Sequence, residues 1–174
     1  MKILISENEL HQAVKKAGTW INENYQGQPV LLVSILNGAF IFLADVCREI
    51  TIPCEIAFMS VKSYYDQTES SGNVQIIMDL QQDIKNYHVI IIEDIIDSGR
   101  TLYEITHMLK ARNPLSLKIL TLLDKKARRE VDLNADLSLF NIPDLFVVGY
   151  GMDYSEKYRN LPYIAELDFS ESFC

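Results

Sequence analysis

Residues 89–92 read Val-Ile-Ile-Ile, and the next nine are Glu-Asp-Ile-Ile-Asp-Ser-Gly-Arg-Thr. Four β-branched residues without polar alternation suit a strand covered on both faces, as in a parallel sheet flanked by helices. Sheets of that kind take their ligands beyond the carboxyl ends of their strands. Glu93 and Asp94 are expected at such an end, where ionised carboxylates accept hydrogen bonds from a vicinal diol such as a ribose and attract a hard cation. After Asp97, the turn Ser98-Gly99-Arg100-Thr101 holds a glycine, which lets backbone approach a ligand closely, and opens a helix whose first N–H groups lack intrahelical partners. Those donors fit a phosphate. Acids suited to a sugar and a hard cation, followed by amides suited to a phosphate, describe a phosphosugar site.

The flanking segments repeat the strand–turn–helix theme. Ser6 and Glu9 have capping-box spacing, and Leu10, Val14, Ala17 and Ile21 follow at helical intervals, so a first amphipathic helix is expected. Val30 to Leu36 reads as a buried strand ended by Asn37-Gly38, and Ala39 to Ile50 as a second helix. Cys54 to Tyr65 is expected as a strand, Asp66 to Asn73 as a mobile polar loop, and Val74 to Leu80 as another strand. The helix from Thr101 carries Leu102, Ile105, Met108 and Leu109 on one face and stops at Asn113-Pro114. Leu117 to Leu123 is the next strand, with Asp124-Lys125-Lys126 at its end, and Leu137–Ile142, Phe146–Tyr150 and Tyr163–Leu167 are short strand-like pieces. The expected fold class is α/β, a parallel sheet core flanked by helices with a small C-terminal hood.

A chain of 174 residues is long enough for one core and short for two, so residues 1–174 are expected to form a single domain. The N-terminal segment turns polar too early for a secretory signal, and no apolar run approaches the ~18 residues of a membrane span, so a cytoplasmic protein is expected. Cys47, Cys54 and Cys174 are odd in number and lack metal-ligand spacing, which makes them inert thiols. The net charge of −8 opposes binding to a nucleic-acid duplex.

The stretch from Glu93 to Thr101 resembles the phosphoribosyl-diphosphate loop of type I phosphoribosyltransferases, in the form found in hypoxanthine (hypoxanthine-guanine) phosphoribosyltransferases. The resemblance extends over residues 30 to 165. It implies that Glu93, Asp94, Asp97, Ser98, Gly99, Arg100 and Thr101 bind the phosphoribosyl group, with Asp97 catalytic beside N7 of a purine. On its residue type alone, Asp97 would equally suit a turn or helix N-cap. Leu36, Asn37 and Gly38 match the family's diphosphate loop, whose first peptide is often non-proline cis, and many members carry Lys where this chain has Asn37. Arg159 matches a diphosphate contact, and Arg129 a residue near the diphosphate. Ser63 and Tyr64 match the start of a closing lid, although an exposed hairpin tip would look the same. Lys125, Phe146, Val147 and Asp153 match the purine pocket. An ammonium supplies donors only, so Lys125 would favour a 6-oxo over a 6-amino purine. Phe146 and Val147 would pass equally as core, and Asp153 and Arg159 as surface charges.

The implied activity is transfer of 5-phosphoribose from phosphoribosyl diphosphate to N9 of hypoxanthine or guanine. Mg²⁺ is the implied cofactor, with Glu93, Asp94 and Asp153 as metal residues. The implied partners are these small-molecule substrates and further copies of the chain in a homodimer or homotetramer, with no nucleic acid and no membrane. The N-terminal segment and residues from about 125 to 174 would form the hood. Two alternatives share the fold: an RNA-binding transcription attenuator, and a phosphoribosyltransferase for a different base. Fold alone does not choose among them, so the residues around Lys125 and Asp153 carry the choice.

Overall fold

The computed structural model describes residues 1–64 and 73–167. Its first element, β1 (Lys2–Ile5), leads into α1 (Glu7–Asn24), which begins at the expected capping box. The Ser6 hydroxyl accepts from the Glu9 amide at 3.4 Å, and the Glu9 carboxylate accepts from the Ser6 amide at 2.8 Å. Then come β2 (Val30–Leu36), α2 (Phe40–Glu49), β3 (Cys54–Tyr64), β4 (Asn73–Met78) and β5 (His88–Ile96). The chain continues with α3 (Arg100–Lys110), β6 (Ser116–Asp124), a 3₁₀ turn at Lys126–Arg128, β7 (Leu137–Asn141), β8 (Val147–Val148) and β9 (Ile164–Glu166).

Six strands form the main sheet in the order β4-β3-β2-β5-β6-β7, parallel except for the antiparallel edge strand β4. Its central strands explain the absence of alternation. Leu32, Ile90 and Ile92 pack with Leu10 and Ile21 of α1 and Phe42 of α2, whereas Leu31, Val33, Val89 and Ile91 pack with Ile105 and Leu109 of α3 on the other face. Both sides of each central strand therefore lie in apolar surroundings. A second sheet, β1-β9-β8, is antiparallel and joins the N-terminal strand to the C-terminal region.

One placement departs from the sequence reading, and one gives the N-terminal segment expected in the hood a strand that the reading did not name. Leu137–Asn141 is the outermost parallel strand of the main sheet, pairing with β6, and so belongs to the core sheet and not to the hood. The N-terminal Lys2–Ile5 is a strand of the smaller sheet. Both placements come from pairing between distant segments, which local pattern does not encode.

The connectivity positions the site. From β2 the chain passes through α2 to β3 on one side, and from β5 through α3 to β6 on the other. Since β2 and β5 are neighbours, their exits diverge and leave a crevice at their carboxyl ends, where sheets of this kind bind ligands. Among the described residues no helix is long and apolar enough to cross a membrane.

Candidate active site

The pairing of β2 with β5 ends at Ser34↔Ile92, while β5 continues beside β6 as far as Ile96↔Asp124. Glu93 and Asp94 therefore lie within β5, not at its end as the sequence suggests. The strand is carried past them by β6, and on the side where pairing with β2 has stopped, the loop after β2 brings Gly38 against Asp94. The Leu36–Asn37 peptide is cis, as the resemblance implied. A Cβ on Gly38 would fall 1.8 Å from Asp94 Oδ2, so only glycine lets the loop lie against the carboxylate.

Glu93 and Asp94 are enclosed by protein except where they face the crevice. Burial first, and the adjacent Asp94 second, push the Glu93 carboxyl well above the ordinary carboxylate range; burial also raises Asp94. Glu93 Oε2 is buried without a hydrogen-bond partner. Two adjacent desolvated carboxyls with an unused oxygen suit a hard divalent cation. Among the described residues no three His, Cys, Asp or Glu side chains converge on one point, so Glu93, Asp94 and Asp153 do not form a complete cage. Mg²⁺ usually keeps waters and substrate oxygens in its shell, which fits an incomplete donor set.

Beyond Ile96 the chain turns through Asp97 and Ser98 to Gly99, whose φ of 81° is the left-handed conformation that favours glycine. Gly99, not Asp97, caps α3. A hollow of about 330 Å³ is lined by Glu93, Asp94, Asp97, Ser98, Gly99 and Thr101, so the expected phosphoribosyl residues share one wall. Arg100 points away and ion-pairs with Glu130.

A second hollow, of about 320 Å³, shares Asp94, Ile95 and Asp97 with the first and is otherwise lined by Asn37, Gly38, Lys125, Phe146, Val147, Met152, Asp153 and Arg159. The backbone brings Lys125 to Asp97, because the Lys125 amide donates to the Ile96 carbonyl at 2.9 Å. The buried Lys125 places Nζ 3.6 Å from Asp97 Oδ2, and Arg128 Nε lies 3.3 Å from Asp97 Oδ1. Across the hollow, a Cβ on Gly151 would stand 2.1 Å from the Gly38 carbonyl oxygen. Arg159 Nη1 donates to the Gly151 carbonyl at 2.8 Å, and its Nη2 lies 2.9 Å from Asp153 Oδ1. The hood is thereby packed directly onto the loop at Gly38.

Family membership follows from comparison with known proteins. Residues 5–155 match the model of the phosphoribosyl transferase domain. Hypoxanthine phosphoribosyltransferase of Buchnera aphidicola is 49% identical over 173 residues, covering 98% of each chain. Hypoxanthine-guanine phosphoribosyltransferase of Streptococcus pneumoniae is 48% identical, covering 95% of this chain and 92% of that one. The crystal structure of a hypoxanthine phosphoribosyltransferase from Staphylococcus aureus superposes with a TM-score of 0.95 at 45% identity, covering 99% of this chain and 94% of that chain. The chain belongs to the hypoxanthine phosphoribosyltransferase family.

Within this phosphoribosyltransferase fold, most expected site residues line the two adjoining hollows: Glu93, Asp94, Asp97, Ser98, Gly99 and Thr101 in one, and Asn37, Gly38, Lys125, Phe146, Val147, Asp153 and Arg159 in the other. Leu36 lines the first. Ser63 and Tyr64 end β3; their side chains and the loop expected after them lie outside the described residues. Arg129 departs from expectation: its guanidinium is engaged by Asp124, the Asp97 carbonyl and the Leu133 carbonyl. Arg128, a charge that sequence alone reads as solvated, reaches Asp97. Ile95 and Met152 were not singled out, because an apolar lining looks like core in sequence. A further cavity, about 590 Å³, lies elsewhere, between α1, α2 and the hood near Tyr150, whose hydroxyl donates to Asp45.

The acidic pair has a consequence for stability. A carboxyl whose folded pKa exceeds its unfolded value favours folding below the unfolded value, and that contribution is lost as pH rises through the folded pKa. Metal-free protein is therefore expected to melt at progressively lower temperature as pH rises through the folded pKa of Glu93. Glu93→Gln cannot ionise and should flatten that dependence. Thermal melts in EDTA across pH check this; identical slopes for the two proteins would contradict it.

Proposed function

We propose that this chain transfers the 5-phosphoribosyl group from phosphoribosyl diphosphate to N9 of hypoxanthine, and of guanine, releasing diphosphate and forming IMP or GMP in purine salvage. The observation that carries the reading is the meeting of Lys125 and Asp97 in one hollow walled by Phe146 and Val147. An ammonium offers only donors, so it complements the 6-oxo group of hypoxanthine or guanine and opposes the 6-amino group of adenine. Asp97, acceptor-only when ionised, is suited to the N7 side of the same purine. Phe146 offers a ring face for the base, and Val147 offers backbone to its edge.

In this reading the ribose diol faces Glu93 and Asp94, and the 5′-phosphate lies on the turn Ser98–Thr101. The diphosphate sits beside Leu36-Asn37-Gly38 and Arg159. Asn37 is exposed and uncharged, so backbone donors of its loop carry that contact. Glu93 and Asp94, with Asp153 across the hollow, would hold Mg²⁺, which when bound supplies positive charge to the departing diphosphate. The reaction develops cationic character at the anomeric carbon, and the carboxylates of Glu93 and Asp94 lie on the sugar side of the site, where they favour it. Fixing purine and phosphosugar in adjoining hollows removes much of the entropic cost of their encounter. Asp97 stands between the hollows and takes or shares the purine proton as N9 attacks.

Small-molecule substrates account for the site without a nucleic acid or membrane partner, and the net charge of −8 supports this. Exposed Phe40, Phe58 and Met78 beside Asn37 support self-association, as a homodimer or homotetramer in the cytoplasm. The names of the relatives favour hypoxanthine over a different base or an RNA-binding role.

The test is an ultraviolet assay with phosphoribosyl diphosphate and Mg²⁺, offering hypoxanthine, guanine, adenine and uracil separately. Nucleotide should form from hypoxanthine or guanine only, and EDTA should stop it; turnover of adenine or uracil in their place, or none with any base, would reject the reading. Asp97→Asn should lose ~10²–10⁴-fold in kcat while remaining folded, because proton management of this kind contributes that much. Wild-type turnover in this variant would remove Asp97 from the chemistry.

A further inference from the structure

We propose that the buried pair Asp124–Arg129 is a positioning device that orients the peptide planes of the phosphate turn. The inference rests on the assignment of residues 98–101 to the 5′-phosphate, and neither Asp124 nor Arg129 lines either hollow of the site.

Arg129 is only 14% exposed and Asp124 only 3%, so the pair is nearly removed from water. The guanidinium uses its whole fork. Nη2 is paired with Asp124 Oδ1, Nε donates to the Leu133 carbonyl at 3.0 Å, and Nη1 donates to the Asp97 carbonyl at 2.6 Å. The next peptide is held from the same side, because the Glu130 amide donates to the Ser98 carbonyl at 3.0 Å. The contact is close along its length: a Cβ on Gly99 would stand 3.1 Å from both Arg129 Cδ and Val131 Cγ2.

Elementary peptide geometry supplies the consequence. In a planar trans peptide the C=O and the following N–H point in opposite directions. With the carbonyls of Asp97 and Ser98 both turned toward residues 129 and 130, the amides of Ser98 and Gly99 face away from that strap, toward the hollow. A charged donor on the Asp97 carbonyl also polarises the peptide and strengthens its N–H as a donor. Two amides fixed in this way accept a phosphate without having to reorganise, and such pre-organisation raises affinity by lowering the cost of ordering. Asp124 is the last residue of β6 and Lys125 follows it, so one strand end carries both the purine-facing ammonium and the acid that sets Arg129.

Lys cannot reproduce this arrangement, since a single ammonium nitrogen does not span three acceptors held by a planar fork, yet it keeps the charge opposite buried Asp124. Arg129→Lys is therefore the primary variant, and the uncharged double variant Asp124→Asn with Arg129→Gln is the second, should the first melt well below the wild type. The probes are IMP and inosine, identical except for the 5′-phosphate, titrated calorimetrically against the full chain. Wild type should bind IMP much more tightly than inosine; equal affinities would refute the phosphate assignment itself. Given that preference, each variant should lose roughly tenfold or more in IMP affinity, the scale of a charge-assisted hydrogen bond, with inosine affinity unchanged. Unaltered IMP affinity, or equal weakening of both ligands, would overturn the positioning role.

Discussion

Two adjacent carboxyls inside a strand of the central sheet govern the arrangement of everything around them. Glu93 and Asp94 stand in β5 where the pairing with β2 has ended and that with β6 continues, so the backbone remains paired on one side and open on the other. Into the open side comes the loop at Gly38, close enough that any side chain there would strike Asp94, and onto Gly38 comes Gly151 of the hood. Arg159 then braces Gly151 through its carbonyl and holds Asp153 with the same guanidinium. The order carboxylate, loop, hood, arginine spans from sheet to hood, and it leaves the acids exposed only toward the crevice. Apart from Arg159, whose charge acts on Asp94, neutralisation has to come from what enters there, which supports the proposal of a cation bound together with an anionic sugar phosphate.

The same principle sets the division of labour between the two hollows. Apolar strands deliver charged side chains to one edge of the sheet, while glycines with positive φ let the backbone approach closely at Gly99 and Gly151. Asp97 belongs to both hollows and lies within ion-pair distance of Lys125 and Arg128, so the group proposed to handle the purine proton sits in a cationic setting supplied by the segment after β6. That segment is also what grips the back of the phosphate turn. The proposed base pocket and phosphate cradle are therefore parts of one packed structure.

Much of this was legible in the sequence, for identifiable reasons. The run Val89–Ile92 announced a strand buried on both faces because a half-exposed strand would alternate, and Ser6 with Glu9 announced the start of α1 because that spacing closes two backbone hydrogen bonds. The motif from Glu93 to Thr101 located the crevice. What escaped was decided by distant segments. The extension of β5 through Ile96 depends on pairing with β6, and the place of Leu137–Asn141 in the main sheet depends on the same neighbour. Arg128 looks like a solvated charge in a basic cluster and Arg129 matches a residue near the diphosphate, and only the fold shows one meeting Asp97 and the other buried against Asp124. The close approach of Gly151 to Gly38 has no local signature, since the two glycines lie on segments far apart in the chain.

In the proposed function, one crevice binds a 6-oxopurine through Lys125 and Asp97 and a 5′-phosphate through the turn after Asp97. A crystal structure of the protein with IMP bound tests it most directly. The phosphate should lie on the amides and hydroxyls of residues 98–101, the purine against Phe146, and its 6-oxo group within hydrogen-bond distance of Lys125 Nζ. A phosphate seated elsewhere, or a purine turned so that its oxygen lies away from Lys125, would contradict it.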